Sequence, residues 1–332
     1  MKNLARSRLA NIGLPSPKNE EWYYFPVSKL REIDIPEPIE SSASDILGIK
    51  NETNAAALFP IAFAAYPYNV TINQKETENG ILKTRDEFSH SHFCVLENAK
   101  LNLEITGNKT ERNFISERID IELKENAEAF LFFKEQGTND STHLTHFRIS
   151  VSENAKVYCN MLLLGKGISR TSVEIFLNGK NACADYRSLA LLKEQAEAHT
   201  HIKIHHNAQE TNSSQFARHF LTENSYASYD GSVFALEDCS KISSSQLVNT
   251  ILQDNAIISV KPNLKIYHDD VECSHGNTCG SFDAEELFYL ESRGIQEVQA
   301  KKILTRSFAR EIFQTDIPHA NRIFEELSLL GF

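Results

Sequence analysis

The sequence predicts a mainly β fold, a β-solenoid flanked by N-terminal and C-terminal α-helical parts. Three observations predict it. The dipeptide Asn-Ala recurs at Asn98-Ala99, Asn126-Ala127, Asn154-Ala155, Asn181-Ala182 and Asn207-Ala208, with spacings of 28, 28, 27 and 26 residues. Within each copy, apolar and polar residues alternate with period two, as in Ile119-Asp120-Ile121-Glu122-Leu123 and Phe147-Arg148-Ile149-Ser150-Val151. Such alternation describes strands with one buried face, not helices. Beyond Ser281 the pattern changes to helix signals. A β-rich repeat of this length buries its inner face turn upon turn, so several turns are needed for stability.

The elements follow in order. A short helix is expected near Leu4 to Ile12, then loops punctuated by Pro15, Pro17, Pro36 and Pro38. Trp22, the single tryptophan, is expected to anchor packing. The most apolar stretch, Ala55 to Tyr66, is broken by Pro60 and is too short to span a bilayer. The repeat is clearest from Ser91 to Ala208. Phe93 and Val95, Ile121 and Leu123, Ile149 and Val151, and Ile202 and Ile204 stand six and four residues before their alanines. In the fourth copy Ile175 and Leu177 are displaced by one residue, beside Asn178-Gly179. Asn tolerates the left-handed conformation that a corner needs, and Ala fits where the chain re-enters a narrow core. β character continues through Gly231–Ala235 and Asn255–Val260 and ends near Asp270. Asp283, with Glu286 three residues on, resembles a capping box. Leu287, Phe288 and Leu290 follow, and Gly294 stops that helix. A second helix is expected from Gln296 to Phe313, with Ile303, Leu304, Phe308, Ile312 and Phe313 as its apolar stripe. A third follows Pro318, carrying Ile323, Phe324, Leu327 and Leu330. The expected organisation is therefore 1–50, an N-terminal helical and loop region; 51–280, the solenoid; and 281–332, a helical domain.

Composition narrows the function. The 332 residues carry 34 basic and 45 acidic side chains, a net charge of −11, with no basic block to hold nucleic acid. The N-terminus has no continuous apolar run of the secretory type. Of the six cysteines only Cys273 and Cys279 sit close together; with no secretion signal and no stretch long enough to span a bilayer, the expectation is a reducing cytoplasm, no membrane association, and thiols free or bound to metal. There is no G-x-S-x-G elbow, P-loop lysine motif or G-x-G-x-x-G fingerprint.

The densest chemical segment is Tyr267 to Gly280, with two thiols, two imidazoles and three carboxylates. In an extended chain Val271, Cys273 and His275 project to one side, so Cys273 and His275 can face one metal, and Cys279 can join after a turn at Gly276. Thiolate and imidazole suit zinc, copper or iron–sulfur species. The spacing C-x-H-x3-C is not a usual closed zinc site. The competing reading is a polar strand-to-helix loop with free thiols. A second cluster is His199, His201, His205 and His206. Its H-x-H pair is similar to a cupin metal motif, but His205 and His206 stand where a cupin places Glu. With Ile202 and Ile204 pointing inward, these histidines are expected on a solvated outer face.

Longer motifs then identify a family. Gly13-Leu14-Pro15 and Lys18-Asn19-Glu20-Glu21-Trp22 resemble the N-terminal signature of the SufD branch of the SufB/SufD family of the SUF iron–sulfur cluster assembly system. Lys261 to Tyr267, Asp269-Asp270-Val271, Cys273-Ser274-His275-Gly276, Leu287-Phe288-Tyr289-Leu290 and Ser292-Arg293-Gly294-Ile295 resemble its C-terminal hallmark. The segment Ser243 to Asn255 lacks the cysteine that SufB carries there, and Gly276 replaces the Glu of SufB. Cys279 lies outside the pattern. The resemblance implies a right-handed parallel β-helix. It also implies a non-catalytic scaffold subunit that pairs with a SufB-like paralogue and docks a SufC-like ABC ATPase through its C-terminal helices. Alone, such a subunit would form homodimers. A transient iron–sulfur cluster would form at the paralogue interface with sulfur from a cysteine desulfurase and its carrier, and no tightly bound cofactor is expected in the isolated chain. His275 would help hold that cluster, with Cys273 in the same motif. His201 and His206 match a family H-x4-H strand without an assigned role. Two other readings stand beside this one: an autonomous His/Cys metalloprotein, and a purely structural solenoid adaptor.

Overall fold

The computed structural model describes residues 1–30, 49–65, 67–83, 87–107, 114–313 and 318–329. The expected loops at Pro36 and Pro38, and Tyr66 and Leu330, lie outside the described residues. Helices α1 (Lys2–Ile12) and α2 (Ala55–Phe63) precede the strands. The strands are β1 (Tyr68–Ile72), β2 (Thr77–Lys83), β3 (Phe88–Val95), β4 (Lys100–Thr106), β5 (Phe114–Leu123), β6 (Glu128–Glu135), β7 (Thr142–Val151) and β8 (Lys156–Leu163). They continue as β9 (Ile168–Leu177), β10 (Cys183–Leu192), β11 (Glu197–His206), β12 (Asn212–Leu221), β13 (Tyr226–Ala235), β14 (Ile242–Leu252), β15 (Ile257–Ile266) and β16 (Val271–Gly280). Helices α3 (Ala284–Ser292), α4 (Glu297–Arg310) and α5 (Ala320–Leu329) follow.

The chain alternates between two parallel sheets of eight strands. Odd strands stack as β1-β3-β5-β7-β9-β11-β13-β15, and even strands as β2-β4-β6-β8-β10-β12-β14-β16. This is the expected β-solenoid. Its inner columns are formed by like residues in register, for example Phe93, Ile121, Ile149, Ile175 and Ile204. All five are buried, and each turn keeps its neighbours' apolar face from water.

Corners explain the repeat. Asn98, Asn126, Asn154 and Asn181 all adopt φ of 56–60°, the left-handed region that Asn tolerates, and the alanine after each is fully buried. The fifth dipeptide corrects the sequence register. Asn207-Ala208 is not the corner pair; Glu210 takes the left-handed position (φ 58°) and buried Thr211 takes the alanine's place. From the fourth copy onward the corner holds one more residue, which is why Ile175 and Leu177 look displaced. Gly179 is required there, because a Cβ would sit 2.0 Å from the backbone nitrogen of Glu153.

Each sheet's outer face is covered by a different terminus. The N-terminal segment lies over the odd sheet, where Leu4, Leu9, Trp22, Phe25, Leu58 and Phe59 pack with Leu144 of β7. Trp22 anchors this layer, edge-on to Phe25 at 5.3 Å and under the guanidinium of Arg170 at 4.3 Å. Arg118 reaches up from β5 to the carbonyl of Ala57 in α2 (3.1 Å). The C-terminal helices cover the even sheet. Phe132, Leu162 and Leu189 meet Ala309, Ile312, Phe313, Ile323 and Leu327. A buried Lys134–Glu326 ion pair and the Arg187–Ile312 carbonyl bond (2.8 Å) fix the contact.

The stripe expected for the second C-terminal helix is therefore corrected. Ala300, Thr305, Ala309, Ile312 and Phe313 are buried, whereas Ile303 is exposed. Of these, Ala309, Ile312 and Phe313 pack on Phe132, Leu162 and Leu189 of the even sheet. The Asp283 cap holds as expected, accepting from the amides of Glu285 and Glu286. α3 buries none of its residues, and Phe288 is 70% exposed. No helix among the described residues is long and apolar enough to cross a membrane.

Candidate functional site

β16 is the last strand of the even sheet, paired with β14 on one side and open on the other. β15 ends the odd sheet in the same way. On β14, Ile242, Ser244, Gln246, Val248 and Thr250 are buried, and they lie in register with Val271, Cys273, His275, Asn277 and Cys279. Cys273 and His275 thus sit on the inner face of the terminal turn, where no further turn covers them. They share one side of one strand, as the alternation predicts. The strand runs straight through Gly276 without a turn. Cys279 is consequently about 20 Å from Cys273 at the usual strand rise, too far to share an ion.

The two residues differ in environment. Cys273 packs partly on a small cluster of Ala235, Cys239 and Ile242, and burial pushes its thiol pKa up. His275 is exposed and stands in register above Gln246. The Gln246 amide is buried, and among the described residues neither its oxygen nor its nitrogen has a hydrogen-bond partner. Beneath Cys273 runs a polar file that sequence reasoning missed: Ser244 bonds Ser213 (2.8 Å), which bonds His206 Nε2 (2.9 Å). Period-two alternation marks these positions as inward. It does not reveal that the inner columns change from apolar to polar toward this end. All six cysteines are unpaired, as expected.

Three of the other four histidines are not on a solvated face; His205 is half-buried on the outer face. His199, His201 and His206 are buried. His199 and His201 face outward but lie beneath the N-terminal layer, and His206 faces the interior. The fifth copy's shifted register hid this. His199 bonds Ser228 and Glu197, His205 bonds Glu174, and His206 bonds Thr211 and Ser213. They do not converge on one ligand.

The SufBD core domain of the SUF iron–sulfur cluster assembly system matches residues 78–308. This chain belongs to the SufBD family. The match spans β2 through most of α4, so it contains Cys273, His275 and the exposed α3. The chain is 32% identical over 173 residues to the iron–sulfur cluster assembly protein SufD of Escherichia coli, covering 52% of this chain and 41% of that protein. It is 29% identical over 212 residues to a SufBD family protein of Synechocystis sp., covering 63% of this chain and 46% of the relative. A SufBD family protein of Mycobacterium bovis is 45% identical over 65 residues, 19% of this chain and 16% of the relative. The matched part thus spans less than half the length of these relatives. Within the SufBD family the chain is SufD-like.

Proposed function

We infer that this SufBD protein is the SufD-like scaffold subunit of a cytoplasmic SufB–SufC–SufD complex and performs no catalysis itself. The observation that carries the reading is the open end of the solenoid. There β16 offers His275 and Cys273 side by side, and among the described residues no strand pairs with the edges of either sheet at that end. A SufB-like paralogue laid against β15 and β16 would satisfy those edges and supply the remaining ligands. The imidazole of His275 and the thiol of Cys273 would then hold a nascent iron–sulfur cluster as cargo. In the paralogue's absence a second copy would take the same place. α3 supports docking of a SufC-like ATPase, because Phe288 and Tyr289 are exposed on a helix none of whose residues is buried.

The test is co-expression with the paralogue and the ATPase. Wild type should co-purify with both and support cluster absorbance on reconstitution. His275→Ala should keep both partners and its melting temperature but lose most of the absorbance. Normal cluster assembly by His275→Ala, or recovery of neither partner with wild type, would overturn the reading.

A further inference from the structure

Glu52, His146 and Glu174 form a second cluster, remote from β16. Glu52 comes from the N-terminal segment just before α2, while His146 and Glu174 lie on the outer faces of β7 and β9. Their nearest oxygen and nitrogen atoms all lie within 4.8 Å of one another. They line a cavity of about 320 Å3 between that segment and the solenoid, together with Thr53, Ser172 and Lys203.

His146 carries the argument. It is 3% exposed, and neither ring nitrogen has a hydrogen-bond partner among the described residues. Buried polar groups are almost always paired, so an imidazole with two orphaned nitrogens marks a place for something absent. Burial, aided by Arg118, holds its pKa at about 3, so the ring is neutral and its lone pair is free. Glu52 Oε1 accepts from the amides of Thr53 (3.0 Å) and Asn54 (2.9 Å), whereas Oε2 faces the Arg118 guanidinium at 3.8 Å, beyond hydrogen-bond distance. Burial pushes the Glu52 pKa up. Glu174 accepts from His205 (3.2 Å) and Arg148 (3.1 Å). Arg118 is itself engaged by Asp120 at 2.8 Å. Among Glu52, Glu174, Asp120, Arg118 and Arg148, carboxylates outnumber guanidiniums by one.

We propose that Glu52, His146 and Glu174 bind a divalent transition-metal ion that fastens the N-terminal segment to the odd sheet. One neutral imidazole selects against calcium and magnesium, and the lack of a thiolate disfavours copper(I) and clusters. Zinc, iron(II), manganese(II) and cobalt(II) fit this set. Metal–ligand bonds of about 2.1 Å require donor atoms about 3–3.4 Å apart, which a modest closure of the three side chains supplies.

The probe is cobalt(II), added to the full chain carrying Cys273→Ser and His275→Ala to silence the open end. One cobalt per chain should bind, with visible d–d absorption and no thiolate charge-transfer band. It should also raise the melting temperature and slow amide exchange over residues 49–54. Adding His146→Gln or Glu52→Gln should weaken binding by more than about tenfold. Should a variant misfold, the exchange measurement on the parent chain still decides. Binding that is undiminished in both added variants, or a parent chain that binds no stoichiometric cobalt and shows no slowed exchange at 49–54, would overturn the proposal.

Discussion

Glu210 holds the corner position that Asn98, Asn126, Asn154 and Asn181 occupy in earlier turns, and it does so without their tolerance of positive φ. Its ion pairs to Lys180 (3.4 Å) and Lys241 (3.7 Å) are solvated and contribute little. Glu210→Asn should therefore stabilise the fold by about 0.5 kcal/mol, read as a higher urea midpoint at constant slope. The opposite sign is expected at Gly179, where Ala must displace the backbone of Glu153; a loss of about 2–4 kcal/mol should appear in the same titration. Buried histidines add a pH dependence. Burial lowers His206 and His219 to about 4. Near pH 6.5 and below, the unfolded chain takes up these protons and the folded chain does not. Stability is thus full above pH 6.5 and falls toward pH 4, by up to about 3 kcal/mol per histidine. Among the described residues His219 Nδ1 has no partner, so His219→Leu should fold and give a shallower loss between pH 6.5 and 4. At this scale the sequence showed Asn as the corner residue but not where Glu or Thr replaces the pair. The replaced corner moved His206 from outside to inside.

Among the elements, the strands were legible because their alternation reports one buried face directly. The terminal helices were legible in position but not in orientation. An apolar stripe identifies a face, whereas a helix whose buried residues are Ala300, Thr305 and Ala309 presents no such stripe on its buried side. The consequence for α4 is practical. Truncation after Arg293 would uncover Phe132, Leu162 and Leu189, so loss of ATPase binding after truncation would say little about docking. Phe288→Asp with Tyr289→Ser is the cleaner change. Both side chains are exposed, so the melting temperature should stay within a degree or two while ATPase recovery in a pull-down falls sharply. Trp22→Ala should instead cost about 3–5 kcal/mol, because it opens the layer over Arg170 and Phe25. Limited proteolysis should then cut within residues 1–30 first.

Seen whole, the molecule has a repeat that was readable at a distance, since stacked turns require like residues at like positions. The cavity around His146 was not readable, since it joins positions 52, 146 and 174 through a register that only the folded turns define. The open end was half visible. The Cys273–His275 pairing followed from alternation, but its exposure follows from β15 and β16 being the last strands. Leu247 and Ile257 are large, apolar and exposed near that end. On the proposed homodimer, Leu247→Lys with Ile257→Lys should turn a dimeric wild type into a monomer in light scattering, with the β circular dichroism unchanged.

The stacked interior keeps no tally of its own turns. Excising residues 126–153 would join Glu125 to Asn154 just as it now joins Asn126, bringing Ile121 to Ile175 and Leu123 to Leu177. The inside would close without a scar. The outside would not: Leu144 would vanish from beneath the N-terminal layer, Phe132 from beneath α5, and Lys134 from its bond to Glu326. What is fastened to the two outer faces therefore acts as the ruler. Gain or loss of a whole turn, the cheapest change for a solenoid's core, is policed here by its attachments.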